Sequence, residues 1–139
     1  MVKNRKLLNE ELGRKSIDEF KSSEKLPIAV VLDNVRSLNN VGSVFRTSDA
    51  FLIEKIYLCG ITGIPPHPEI HRSALGAENS VDWEYADSTV TAVEGLKQSG
   101  YVIISVEQVE HSVLLNQFYP KQGQKYALVF GKEVKGVGQ

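Results

Sequence analysis

Cysteine is almost missing from this sequence. Cys59 stands alone, which excludes an internal disulfide and fits a reducing compartment. Lying at the end of an apolar run, it reads as a small buried hydrophobe and not as a nucleophile. Charge of one sign is missing too: sixteen Lys and Arg face seventeen Asp and Glu, a net charge of -1. A surface that is basic all over is therefore excluded, and any nucleic-acid binding has to come from a local patch. No apolar stretch nears the roughly 20 residues of a membrane span, and Met1 to Lys6 are not followed by a signal-peptide core. A cytoplasmic location is the expectation. Repeats, low-complexity tracts and internal linkers are absent, so the 139 residues read as one domain able to bury a core. With 42% hydrophobic and 24% charged residues, the remainder is the composition of an ordinary soluble globular protein.

Strand and helix patterns alternate along the chain. Residues 3–22 are charged and helical, broken at Gly13 and Ser16, and Ser16 with Glu19 forms a capping box. They read as an N-terminal extension (1–22) laid on the domain or touching a partner, with the main domain at 23–139. Ile28–Leu32 is unbroken apolar sequence, a strand covered on both faces. A helix follows, with Asn39 or Asn40 as N-cap and an apolar face of Val41, Val44, Phe45, Phe51 and Leu52. Ile53–Cys59 is the second strand, and the Gly- and Pro-rich residues 60–68 form a loop. Glu69–Leu75 is a short helix ending at Gly76. Val81–Tyr85 alternates and reads as a third strand near an edge. Ser88 caps a helix over Thr89–Gln98, closed by Gly100. Tyr101–Val106 and Lys125–Phe130 are the fourth and fifth strands, with a helical turn over Ser112–Leu115 between them. The pattern predicts an α/β fold with a mostly parallel sheet and helices on both faces, whose ligands sit at the carboxyl ends of the strands. Those ends are residues 33–46, 106–111 and 131–136.

Asn39 to Ala50 carries the most chemistry. A helix opening there offers free N–H groups, an Asn side chain and, nearly opposite the apolar face, the cation of Arg46, a set that suits an anion or a ribose phosphate. The same spacing equally describes a capped surface helix with a solvated Arg. Gly131-Lys132-Glu133-Val134-Lys135-Gly136-Val137-Gly138 is not a Walker loop, because Val137 stands where Lys is required, and it is not a dinucleotide fingerprint. It still supplies a glycine turn with exposed backbone after a buried strand, open to an adenosine-like group or to a plain tight turn. His67 and His71 flank Glu69, but Pro66 and Pro68 oppose a common helical face and no third ligand is evident, so no metal is expected. His111 has no Ser or Cys partner in a recognisable setting, and a nucleophilic triad is not supported.

Asp33 through Ala50, with the pattern N-x-x-x-x-x-R from Asn40 to Arg46, resembles the first motif of the SpoU/TrmH class of RNA ribose 2′-O-methyltransferases in the knotted SPOUT superfamily. Leu128 to Val137, with G-x-E-x-x-G, resembles the second, and Thr62–Pro66 and Ala74–Glu78 look like connecting segments of small members. The likeness spans roughly residues 23 to 139. It implies the SPOUT α/β-knot fold, S-adenosyl-L-methionine as donor, a ribose 2′-hydroxyl of tRNA or rRNA as acceptor, and a homodimer in which Arg46 often serves the partner's site. Arg46 and Asn40 are then the catalytic pair, with Arg36 and Arg46 on the RNA. Gly131, Glu133, Gly136, Val106 and Glu107 form the donor site. The family pattern continues with a strand, an S-L-N loop and the knot-forming helix, which lie past Gln139. The expectation is an incomplete version of a longer protein. A non-catalytic RNA-binding domain on the same fold is the alternative, and a dehydrogenase-like nucleotide domain is opposed by the missing fingerprint.

Overall fold

The computed structural model of the chain describes residues 17–106 and 121–131. β1 (Leu26–Asp33) is exposed at Leu26 and Pro27 and buried from Ile28 to Asp33, as a fully apolar strand must be when both faces are covered. β2 (Ile53–Cys59) and β5 (Lys125–Phe130) flank it. β3 (Trp83–Ala86) and β4 (Tyr101–Val106) form the edges, giving the order β3-β2-β1-β5-β4 with every pair parallel. The helices are α1 (Ile17–Ser22), α2 (Leu38–Ala50), α3 (Pro68–Ala74) and α4 (Thr89–Gln98), with a 3₁₀ turn at Ala77–Asn79.

The two faces of the sheet bury different material. On one, Val30, Leu32, Ile56, Leu58, Leu128 and Phe130 pack with Val41, Val44 and Phe45 of α2, Ile70 and Ala74 of α3, and Phe20 of α1. Phe20, in the predicted N-terminal extension, is thus a fully buried core residue. On the other face, Ala29, Val31, Cys59, Ala127 and Val129 pack with Leu96 of α4. The small residues Ala29 and Ala127 are register partners at its centre. The chain steps from β1 to β2 to β3 one way, crosses by α4 to the far edge, and returns to β5 beside β1. The direction reverses between β1 and β5, where an open parallel sheet forms its ligand crevice.

Boundaries differ from the sequence expectations for local reasons. Ser37, not Asn39 or Asn40, is the N-cap of α2, its Oγ accepting from the Asn40 N–H at 3.1 Å. Ser caps as well as Asn, and from Ser37 the oxygen reaches the third helical N–H, which places Asn40 inside the first turn. The strand at Ile28 begins earlier because the Leu26 N–H donates to the Leu52 carbonyl at 2.8 Å. The third strand starts at Trp83 and not Val81, since the Val81 N–H is already given to Ala77 O at 3.0 Å. α3 starts at Pro68, where a missing N–H costs nothing, and stops before Leu75, which turns left-handed at φ 54. Residues 3–16, the Ser16 half of the capping box, the turn at Ser112–Leu115 and the knot-forming segment lie outside the described residues.

Gly42 sets the spacing of α2 and α3. A Cβ there would overlap Ser73 Oγ and stand 2.5 Å from the Ile70 carbonyl oxygen and 3.0 Å from the Ala74 nitrogen. Two of those atoms are helix backbone, which cannot step aside. Gly42→Ala is therefore expected to destabilise the fold by about 1–3 kcal/mol through overpacking, read by urea denaturation, despite the better helix propensity of Ala. Cys59 gives a second test. Burial pushes its thiol up from 9.0 to about 11, a hydrogen bond with Thr89 opposes the rise, and the charge of Asp33 adds to it. The folded state thus keeps the proton that the unfolded chain releases, so this contribution to stability is present below pH 9.0 and is lost as pH rises to about 11. Cys59→Ala should flatten that part of the pH–stability curve relative to the parent.

Candidate active site

The carboxyl ends of the central strands come together in one row. Val106 of β4 is level with Phe130 of β5, Phe130 with Leu32 of β1, and Leu32 with Leu58 of β2. The carboxyl ends of β1 and β5 therefore stand side by side, at the reversal of strand order. These are the two motif-bearing ends.

The turn after β1 is held from the neighbouring strands. Asn34 is left-handed at φ 55, a conformation Asn tolerates better than most residues because its short side chain bonds locally. Its N–H donates to Cys59 O at 3.2 Å, its Nδ2 to Asp33 Oδ1 at 3.0 Å, and its Oδ1 accepts from the Ile61 N–H at 2.9 Å. The Val35 N–H donates to Thr62 Oγ1 at 2.9 Å, and that hydroxyl donates to Cys59 O at 2.8 Å. Asp33, only 4% exposed, also accepts from Thr89 Oγ1 at 2.6 Å, in the first turn of α4. A buried carboxylate supplied with such donors, near a helix N-terminus, is a stable fixture.

Each expected site residue has a definite place or falls outside the described residues. Asn40 is half-buried in the first turn of α2, and Arg36 is exposed on the preceding loop. Arg46 is exposed on α2, and no described residue hydrogen-bonds or ion-pairs with its guanidinium. It follows Asn40 by six positions, about 9 Å along the helix and about 120° around it, so one chain does not bring the two side chains to a point. Val106 is buried and Gly131 half-buried at their strand ends. Glu107, Glu133, Gly136 and His111 lie outside the described residues. Sequence reasoning missed Asn34, Thr62 and Thr89. Their partners stand 27 and 56 positions away, and the one signal was an Asp-Asn pair at a strand end.

The two described histidines are occupied locally. His67 caps α3, its Nδ1 accepting from the Glu69 N–H at 3.1 Å, while His71 Nδ1 lies 2.6 Å from Glu78 Oε2. Among the described residues no three His, Cys, Asp or Glu side chains gather as a metal site, and no helix is long and apolar enough to cross a membrane. On the α4 face a groove of about 490 Å³ is lined by Tyr57, Glu84, Gly95, Leu96, Tyr101 and Lys125. It contains no motif residue. Its polar groups are engaged: Tyr101 OH donates to Glu54 at 2.7 Å, and burial with that carboxylate pushes the phenol pKa up. Lys55, beside the groove, is held protonated by its hydrogen bond to Glu84 at 2.7 Å.

Comparison with known proteins points the same way. The sequence profile of the SpoU rRNA Methylase family matches residues 27–139. A Staphylococcus saprophyticus protein assigned to the TrmH family of tRNA/rRNA methyltransferases is 24% identical over 123 residues, 88% of this chain and 48% of its own length. A solved rRNA methyltransferase from Sinorhizobium meliloti with bound AdoMet superposes at a TM-score of 0.65 and 22% identity, covering 89% of this chain and 46% of that one. A solved RNA 2′-O ribose methyltransferase gives 0.60 and 20%, covering 84% and 44%. The chain thus spans about half the length of the relatives it matches. These likenesses fix the fold as that of the TrmH/SpoU neighbours, and with its family profile running from β1 onward, the chain belongs to the SpoU rRNA Methylase family.

Proposed function

We propose that the chain works in S-adenosylmethionine-dependent methyl transfer to a ribose 2′-hydroxyl of tRNA or rRNA, as a homodimer. The observation that carries this is the adjacency of the two motif-bearing strand ends, Leu32 beside Phe130, at the reversal of the sheet. One end supplies the polar helix opening and the other the glycine turn. The relative solved with AdoMet and the relative named as a 2′-O ribose enzyme support the donor and the acceptor.

The strand ends fit such a donor. Val106, Phe130 and Leu32 bury an apolar row under the rim, and Gly131 follows without a side chain to block its backbone groups. Val106 and Gly131, with Glu107, Glu133 and Gly136 beyond them, are the residues that would hold it. When bound, the donor supplies an electrophilic methyl group. The protein's own work is to position the ribose and help its hydroxyl lose a proton. A guanidinium with a pKa above about 12 is a poor base. Arg46 therefore grips the substrate phosphate and stabilises the developing alkoxide, base action coming from that phosphate, while Asn40 orients the ribose. Asn40 and Arg46 diverge around one helix, and in the family the chain resembles this Arg often serves the partner's site, so Arg46 is assigned to the site of the partner subunit. Arg36, Arg46 and Arg72, all the described arginines, are exposed on the motif loop, α2 and α3, where they are available to phosphates.

Tritiated methyl transfer to a pool of unmodified tRNA and rRNA transcripts, followed by alkaline hydrolysis, tests the reading. Label should stay in alkali-resistant dinucleotides, because hydrolysis needs the free 2′-hydroxyl; label on mononucleotides would overturn the ribose assignment. Arg46→Lys keeps the charge but loses the planar fork, and should lower kcat by about 10²-fold while calorimetric binding of S-adenosylmethionine is unchanged. Mixing Arg46→Ala subunits with Gly131→Val subunits should restore roughly a quarter of wild-type activity, since half the dimers then hold one whole site of two. No restoration would place Arg46 in its own subunit's site. RNA affinity should fall only mildly with added salt, as few phosphates are engaged.

A further inference from the structure

Four residues link β1 to α2, and nearly all are tied down except the side chain in their middle. Asn34 is locked left-handed by bonds to Cys59, Ile61 and Asp33. Val35 gives its N–H to Thr62 and packs its side chain on the core. Ser37 caps α2. Arg36 lies between these anchored neighbours with its side chain in solvent. The fit is close, because a Cβ on Gly60, itself at φ 67, would run into Asn34 Oδ1. Two of these bonds cross 27 positions of sequence, Thr62 Oγ1 accepting from the Val35 N–H and Asn34 Oδ1 from the Ile61 N–H, so the loop's course is fixed on both sides of Arg36. Holding a loop this way removes the entropy that an exposed arginine's backbone would otherwise lose on binding.

We propose that Asn34 and Thr62 are positioning residues that present Arg36, pre-ordered, to a phosphate of the RNA substrate. Neither touches the substrate; both act through Arg36. The inference rests on the RNA methyltransferase reading and assigns its recognition step, separate from Arg46 and the chemistry. Uniform loss of an RNA contact raises KM and leaves kcat alone, whereas simple destabilisation reduces the amount of active protein and leaves KM alone.

The test uses the full chain with the same pool of unmodified tRNA and rRNA transcripts. Asn34→Gly keeps the left-handed backbone available but deletes both side-chain bonds. It should raise KM for RNA roughly tenfold, about the loss of one charge-assisted contact, with kcat and S-adenosylmethionine affinity unchanged. Arg36→Ala should do the same, and the double variant should be no worse than either single, since the two act as one unit. Multiplied effects, or a fall in kcat at constant KM, would overturn the proposal. Should Asn34→Gly not fold, Thr62→Val and Thr62→Ser decide: Val should raise KM and Ser, retaining the hydroxyl, should restore it, while equal behaviour of the two would count against the idea. An unmodified protein that bound the transcripts without methylating them would defeat the methyltransferase reading alone. Filter binding would then judge positioning by whether Asn34→Gly and Arg36→Ala weaken affinity equally. A protein that bound no RNA would defeat both.

Discussion

The structure depends on one strand having no exposed face. From Ile28 to Asp33, β1 is buried on both sides, so the chain has to supply a helical layer above and another below, each covering a different set of side chains. The heavier layer, with α2, α3 and Phe20 of α1, meets Val30 and Leu32; the lighter one, α4, meets Ala29 and Val31. At a typical 1.5–3 kcal/mol per buried aliphatic side chain, this central strand and its two neighbours dominate the apolar stabilisation. The first motif leaves from the end of that strand, where burial stops and the backbone needs new hydrogen-bond partners.

Those partners turn a structural necessity into a site. Carbonyls and N–H groups at the ends of β1 and β2 are satisfied by Asn34 and Thr62, and Asp33 accepts in turn from the Asn34 side chain. Through Asp33 the network reaches Thr89 at the start of α4, so the two helical layers meet at the rim from which the motif helix departs. A rigid rim suits methyl transfer, in which alignment of the reacting atoms carries most of the rate.

The architecture was legible in the sequence because its signals were strong. The apolar run Ile28–Leu32 marked a central strand, the alternation near Trp83 marked an edge strand, and Ser88 and Gly100 bracketed α4 as expected. The cap of α2 was misread because Ser37, Asn39 and Asn40 are all good caps, and the choice is made by where the loop from Asn34 delivers the chain. Asn40 and Arg46 were singled out by their motif, not by physics; spacing alone allowed a solvated helix. The hydrogen bonds that define the rim were illegible for a different reason. They join positions brought together only by the parallel crossovers, and no local pattern encodes such a meeting.

The missing side chain at Gly42 has a mechanical consequence. With the α3 carbonyl of Ile70 so close to the α2 backbone, that one crossing point has no room for even a methyl group, while Val41, Phe45 and Ala74 pack around it. Cushioned helices slide past each other by small rotamer changes, but backbones in direct contact have no such freedom. At that crossing α2 and α3 have little room to shift against each other, and α3 carries the exposed Arg72. A partner laid across this pair would meet helix backbones held at a fixed separation.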